Sequence, residues 1–236
     1  MVLIDRGGIL TECMAVDPEG RWYEQKLLSV APEQYEDAIA EGVRRLVPSI
    51  DAVDEIRIGT TVATNALLTR KGPRVAAVLP AGLGDLPWSG DQSRPELFAL
   101  QIEPRRPLCE RTIEISGRRR PDGSVLVELD ERLLRERLTA AREAGLESLA
   151  VALPHAGADP RDEHRVRELA EEVGFPWVTL GSEVSTLPGL LARLETSLVD
   201  AFCSPVLVAY LERLRERLGL PEPEDGSKTT SAPRLR

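Results

Sequence analysis

Aromatic side chains are scarce in this sequence, at 4% of its 236 residues. The core must therefore be assembled from Leu, Val, Ile and Ala. The only two histidines, His155 and His164, lack companion ligands, which speaks against a zinc site. The three cysteines, Cys13, Cys109 and Cys203, are widely spaced and odd in number, a usage that suits a reducing compartment and not a disulfide framework. Basic residues are in deficit: a formal charge of −9 leaves no positive field to attract a phosphate backbone, so nucleic-acid binding is disfavoured. The local exception, "GRRRP" at 117–121, precedes the turn signal "PDG" and reads as a solvated hairpin tip. No apolar run approaches a membrane span, and Asp5 near the start is out of place in a signal peptide. The expectation is a cytoplasmic chain with neither a membrane nor a nucleic acid as partner.

What is present is an α/β pattern. "MVLIDRGG", "ILTECMAVD" and "RWYEQKLLS" alternate apolar and polar residues and are separated by turn signals, which predicts an antiparallel meander whose first turn carries Asp5. Tyr35, Ile39, Val43 and Val47 recur at helical spacing up to Pro48. "EIRIG" reads as a strand, followed by a helix capped by Thr60 or Thr61 and running to Gly72. After the strand "PRVAAVLPAG" comes a long Pro, Gly and Asp-rich segment, and loops of that kind are usually functional or mobile. "RTIEISGRRRPDGSVLVELD" predicts a hairpin. Helix 130–144, strand 148–153, helix 160–173 and strand 177–180 then alternate, which implies a parallel sheet with covering helices. A helical pattern from Leu190 to Leu218 contains Pro205, expected to kink it or begin a new turn. The remainder, rich in Pro, charge and Ser/Thr, reads as disordered.

Two stretches carry chemistry. "DRGG" after a strand can bring backbone N–H groups close to a phosphate while the carboxylate of Asp5 holds a metal or its water, although an ordinary glycine turn has the same residues. "GTTVATN" offers free N–H groups, hydroxyls and the positive end of a helix dipole. Plain capping explains one threonine, but not Asn65, a mediocre helix former unless its amide has a partner.

"LIDRGG" with "LTEC", "RIGTTVATNALLTRKGPRVAAV", "GDQSRPELFAL", "GLESLAVALPH" and "GFPWVTLGSEVS" occur in the order found in the N-terminal region of the hydantoinase/oxoprolinase family, which the chain resembles over nearly everything outside its tail. Arg6 and "GDQSRP" look more like the 5-oxoprolinase branch. The resemblance implies an RNase H-like mixed sheet of the actin and sugar-kinase ATPase type with covering helices, followed by a long C-terminal helical segment. It implies ATP and Mg²⁺ as cofactors and the opening of a cyclic amide such as 5-oxoproline after phosphorylation of the ring amide oxygen. It assigns Asp5 and Glu12 to catalysis, with Asp5 also at the metal. Gly7, Gly8, Thr11, Gly59, Thr60 and Thr61 would meet nucleotide or phosphate. Thr64, Asn65, Gln92 and Arg94 would meet substrate, with Arg94 the natural carboxylate clamp.

The sequence departs from the family's usual first loop, Asp-x-Gly-Gly-Thr-Phe-Thr-Asp: Ile9 removes a hydroxyl, and Glu12 moves the final acid by one methylene. Ala192 and Leu194 stand where the family has an acid and a hydroxyl, and His155 reads as a strand-end residue capping a loop. The domain reading is residues 1–186 as the family's N-terminal domain, 187–219 as the helical start of a truncated hydantoinase A-type domain and 220–236 as the disordered tail. A cleft ATPase needs a second half, so a partner chain supplying the rest of the hydantoinase A and B portions is expected. The rival readings are a degenerate binding or regulatory module and a sugar-kinase-like ATPase domain.

Overall fold

The computed structural model describes residues 1–31, 33–93, 96, 98, 100 and 105–220, together with the backbone of 234–235. The chain forms two compact units, Met1–Arg70 with Val206–Arg236, and Lys71–Pro205.

The first unit is built on β1 (Val2–Arg6), β2 (Leu10–Val16), β3 (Trp22–Leu28) and β4 (Glu55–Thr60). The first three strands form the expected meander, with β4 parallel to β1 and a two-residue strand, Arg234–Leu235, parallel to β4 at the edge. Alternation divides the faces: Val2, Ile4, Cys13, Ala15 and Ile56 are buried on one, while Asp5, Glu12 and Lys26 lie on the other. The buried face packs against α1 (Ala38–Leu46), through Ile39, Ala40 and Val43, and against residues 206–218 of a long helix, through Tyr210, Leu214 and Leu218. The α1 helix starts at Asp37, whose Oδ1 accepts hydrogen bonds from the N–H groups of Ile39 and Ala40 at 2.9 and 3.1 Å. It stops at Val47, because an extended residue is favoured before Pro48. Gly42 lets it lie close to the sheet, since a side chain there would meet the Cys13 sulfur at 2.3 Å. Burial pushes the Cys13 thiol up to about 11, which leaves it an inert core residue. After β4 comes α2 (Val62–Thr69).

The second unit holds a parallel sheet with strand order β10-β9-β5-β6, formed by β5 (Val75–Pro80), β6 (Cys109–Ile115), β9 (Ser148–Val151) and β10 (Trp177–Leu180). Every residue of β5 and β9 is buried, as expected of parallel strands covered on both faces. Between β5 and β6 lies the short helix α3 (Leu86–Ser89); β7 (Arg118–Arg119) and β8 (Val125–Val127) form a separate two-stranded ribbon. The helices α4 (Glu131–Glu143) and α5 (Arg161–Val173) pack Leu134, Leu138, Val166 and Leu169 into the core with Leu149 and Val151; each such buried leucine contributes about 1.5–3 kcal/mol relative to exposure. A single helical turn, α6 (Gly181–Val184), follows β10, and α7 (Leu190–Leu218) continues into the first unit.

Three local expectations are corrected. The stretch 111–130 is not one hairpin: its first part belongs to β6 beside β5, and only the β7 and β8 ends pair around "PDG". The α2 helix ends at Thr69 with Arg70 in the left-handed region at φ 54°, and not at Gly72. Gly72 instead makes room for the Phe202 ring, which a side chain there would meet at 2.6 Å. The α7 helix contains Pro205 and continues through it. That helix is also long and apolar enough, by length and composition alone, to cross a membrane, a test that core helices pass as well; its Leu194, Leu198, Phe202, Tyr210 and Leu214 are buried. Of the tail read as disordered, all but Leu220 and the short strand 234–235 lies outside the described residues.

Candidate functional site

The turn between β1 and β2 is tight and braced from behind. The Gly7 N–H donates to the Leu10 carbonyl at 3.0 Å. From the end of β3, the Ser29 N–H donates to the Ile9 carbonyl at 2.7 Å and the Ser29 hydroxyl to the Gly7 carbonyl at 2.7 Å. Thr11 and Ser29 share a buried hydroxyl hydrogen bond of 2.9 Å. Thr11 is 0% exposed, so its hydroxyl holds the turn in shape and is not presented to solvent. Ser29 was not singled out from the sequence; its place directly after an apolar strand end gave no signal of this role.

Across the sheet, Gly59, Asp5, Glu12 and Lys26 occupy one register row on the exposed face. Gly59 opens space next to Asp5: a side chain there would stand 3.6 Å from Asp5 Oδ1. Glu12 pairs with Lys26 at 2.9 Å. Asp5 is exposed and has no cation or hydrogen-bond donor on its carboxylate among the described residues.

The start of α2 meets this turn. The Arg6 carbonyl accepts from the N–H of Thr61 at 3.2 Å and from its hydroxyl at 3.4 Å. The Asn65 amide donates to Thr61 Oγ1 at 3.3 Å, and the space beside Gly8 is 3.7 Å from Asn65 Nδ2. Thr61 is the N-cap by position, but its side chain makes no capping hydrogen bond; Thr60 accepts from the Val62 N–H at 3.3 Å. Thr60 is therefore the capping hydroxyl, while Thr61, Thr64 and Asn65 are exposed. The structure brings together Asp5, Gly7, Gly8, Gly59, Thr60, Thr61 and Asn65, with Glu12 one strand away.

Arg6 secures the rear of this assembly. Its guanidinium donates to Asp37 Oδ2 at 2.9 Å and to the Tyr210 hydroxyl at 2.5 Å, and it lies 4.8 Å from the Tyr210 ring centroid. One residue thus ties the Gly-Gly turn to the cap of α1 and to α7.

Gln92 belongs to the other unit, exposed in a left-handed turn at φ 59°. Arg94 lies outside the described residues. Among the described residues no group of three or more His, Cys, Asp or Glu side chains is placed to hold a metal, so Asp5 is a single metal-competent carboxylate.

Within the second unit, sequence reasoning missed a buried polar junction at the carboxyl ends of β9 and β10. Glu163, 0% exposed in the first turn of α5, accepts from the N–H groups of Leu153 and Ser182, both at 2.9 Å. Its charge also suits the helix N-terminus. Arg193 of α7 is likewise buried and donates to the Leu153 carbonyl. The spacing of Arg193, Ser197, Asp200 and Ser204 along α7 was the available signal: polar residues recurring on one side of the helix. His155, at the same strand end, is exposed with φ 62°.

Comparison with known proteins decides the family. The model of the hydantoinase/oxoprolinase N-terminal region matches residues 1–174. The chain belongs to this family. It is 33% identical over 267 residues to the 5-oxoprolinase of Saccharomyces cerevisiae, covering 95% of this chain and 21% of that protein. It is 33% identical over 183 residues to the acetophenone carboxylase gamma subunit of Aromatoleum aromaticum, covering 70% of this chain and 24% of that one. A crystal structure of the ATP-dependent caprolactamase from Pseudomonas jessenii superposes with a TM-score of 0.73 at 27% identity, covering 99% of this chain and 35% of that one. The hydantoinase/oxoprolinase chain described here thus spans about a fifth of the length of the curated relatives it matches.

Proposed function

We propose that this chain is the N-terminal part of an ATP-dependent cyclic amide hydrolase of the 5-oxoprolinase/hydantoinase type, and that turnover requires the remaining portions from a partner chain. The observation that carries this reading is the meeting, within one unit, of an unpaired carboxylate at Asp5, the Gly7–Gly8 turn and the start of α2. Three antiparallel strands, a helix and a parallel β4 support assigning that unit to the RNase H-like fold of actin and sugar-kinase ATPases.

These residues fit a metal-bound nucleotide: an acid free of cations among the described residues, glycines that let backbone approach phosphate, and a helix start with hydroxyl and amide groups. Mg²⁺·ATP would supply the phosphoryl group that gives a lactam, a poor electrophile, a good leaving group. Asp5 would hold the metal or its water, and Gly7, Gly8 and Gly59 would leave room for the phosphates. Thr61 and Asn65 would orient them, while Thr60 caps α2 and Thr11 and Ser29 hold the turn. Glu12, paired with Lys26 at 2.9 Å on the exposed face, is the second acid beside this turn. Thr64 and Asn65 are offered to a cyclic amide such as 5-oxoproline.

A non-catalytic binding module is the second reading. Ile9, 77% exposed at the turn where a hydroxyl was expected, and the engagement of Glu12 by Lys26 favour it. Supplying the missing portions and measuring ATP-dependent lactam opening separates the two. Activity restored by the partner supports the hydrolase, and nucleotide binding without turnover supports the module.

A further inference from the structure

Arg193 is 3% exposed, yet among the described residues it has no carboxylate within salt-bridge distance. Its Nη2 donates to the Leu153 carbonyl, and its Nε has no hydrogen-bond partner. A buried guanidinium with no carboxylate in direct contact is costly, and Arg is the side chain best shaped to receive a planar carboxylate.

Two observations indicate where an anion would approach. Gly157 is exposed, and a Cβ at that position would lie in van der Waals contact with Arg193 Nη1 at 3.6 Å, so a larger side chain there would cover the guanidinium. The place is also the carboxyl end of the parallel sheet. Leu153 follows β9, which neighbours β5 at the point where the strand order reverses, the position at which open α/β sheets receive ligands. Ser182, at the end of β10, has a buried hydroxyl that is also without a partner. Glu163 binds the Leu153 N–H while Arg193 binds the Leu153 carbonyl, so a negative charge already stands on the far side of one residue. That makes a phosphate dianion a poorer guest than a monocarboxylate.

We propose that Arg193 is a carboxylate-binding residue, reached over Gly157, that takes the carboxylate of a small cyclic amide. The nature of the ring rests on the function proposed above; the carboxylate site does not.

Calorimetric titration of the full chain tests it with 5-oxoproline, with 2-pyrrolidinone as the same ring lacking the carboxylate, and with acetate and inorganic phosphate. Each is measured on the native chain and on Arg193→Lys and Gly157→Val. The expected result is at least tenfold tighter binding of 5-oxoproline than of 2-pyrrolidinone, with that preference lost in both variants. Gly157→Val keeps the charge and blocks the approach, so it decides the matter if Arg193→Lys fails to fold. Acetate binding that both variants abolish, with neither lactam bound, leaves the carboxylate site standing and overturns the cyclic-amide reading. Binding of 5-oxoproline that persists in Gly157→Val, phosphate bound more tightly than acetate, or no binding of either carboxylate overturns the proposal.

Discussion

Asp5 and Glu12 stand directly opposite each other on β1 and β2, and of the two carboxylates Glu12 alone has a lysine on it among the described residues. Like charges directly opposite on antiparallel strands are mildly destabilising, so Asp5 is not kept for stability. Asp5→Asn should leave the unfolding free energy within about 0.5 kcal/mol of the native value and abolish Mg²⁺-dependent nucleotide binding. A marked loss of stability in chemical denaturation would make Asp5 a structural residue.

The two threonines at the start of α2 should separate cleanly. Thr60→Ala removes the capping hydroxyl and should cost about 1 kcal/mol of stability with little effect on ligand affinity. Thr61→Val and Asn65→Ala act on exposed groups and should weaken ligand binding with the melting temperature nearly unchanged. Equal losses of stability in all three variants would reduce the motif to helix capping.

Glu163→Gln puts an amide donor where two backbone N–H groups need acceptors. One of Leu153 or Ser182 then loses its partner, and the chain should be destabilised by about 1–3 kcal/mol, measured by urea unfolding. Gly72→Ala is expected to cost a similar about 1–3 kcal/mol by overpacking against the Phe202 ring. Unchanged stability in Gly72→Ala would mean that Phe202 can move aside.

Hydrogen bonds from the Arg161 side chain pull the Asp159 carboxyl down from 3.8 to about 2. A depressed folded-state value means that the ionised form is favoured by folding. The contribution is present above pH 3.8 and is lost as the pH falls through about 2. The stability difference between the native chain and Asp159→Asn should therefore be constant above about pH 4 and shrink below it, as followed by unfolding at several pH values. Because Asp159 is partly exposed, salt should reduce the difference.

Much of the fold was legible because its signals are local. The β1 to β3 meander follows from period-two alternation, and the helices and strands from 130 to 180 follow from a change of period between short turns. The β6 segment was misread because both the alternation in "RTIEIS" and the "PDG" turn are real. What assigned the first part to a parallel sheet was pairing with Val75–Pro80, distant in sequence. The α2 end was misplaced for a similar reason: Gly72 looks like a left-handed cap, but its lack of a side chain serves Phe202, which no local pattern reveals.

The candidate site was legible as residue types and less so as roles. "DRGG" and "GTTVATN" were found, and the structure joins them through Arg6, Thr61 and Asn65. Thr11 carries a hydroxyl in the right place along the chain, but strand parity turns it inward to Ser29, whereas Asp5 and Glu12 face outward. Glu163 gave no sequence signal and Arg193 only the polar spacing along α7, because charged residues on amphipathic helices are ordinarily solvated. Only the packing of α5 and α7 reveals that these two are buried.

The central claim is that the Gly7–Gly8 turn, Asp5 and the start of α2 form a nucleotide site, and isothermal titration of the chain with Mg²⁺·ATP tests it most directly. The account predicts saturable binding that disappears on Asp5→Asn and on removal of Mg²⁺, with the melting temperature of the unliganded variant unchanged. Absence of binding, or binding indifferent to both Asp5 and Mg²⁺, would contradict it.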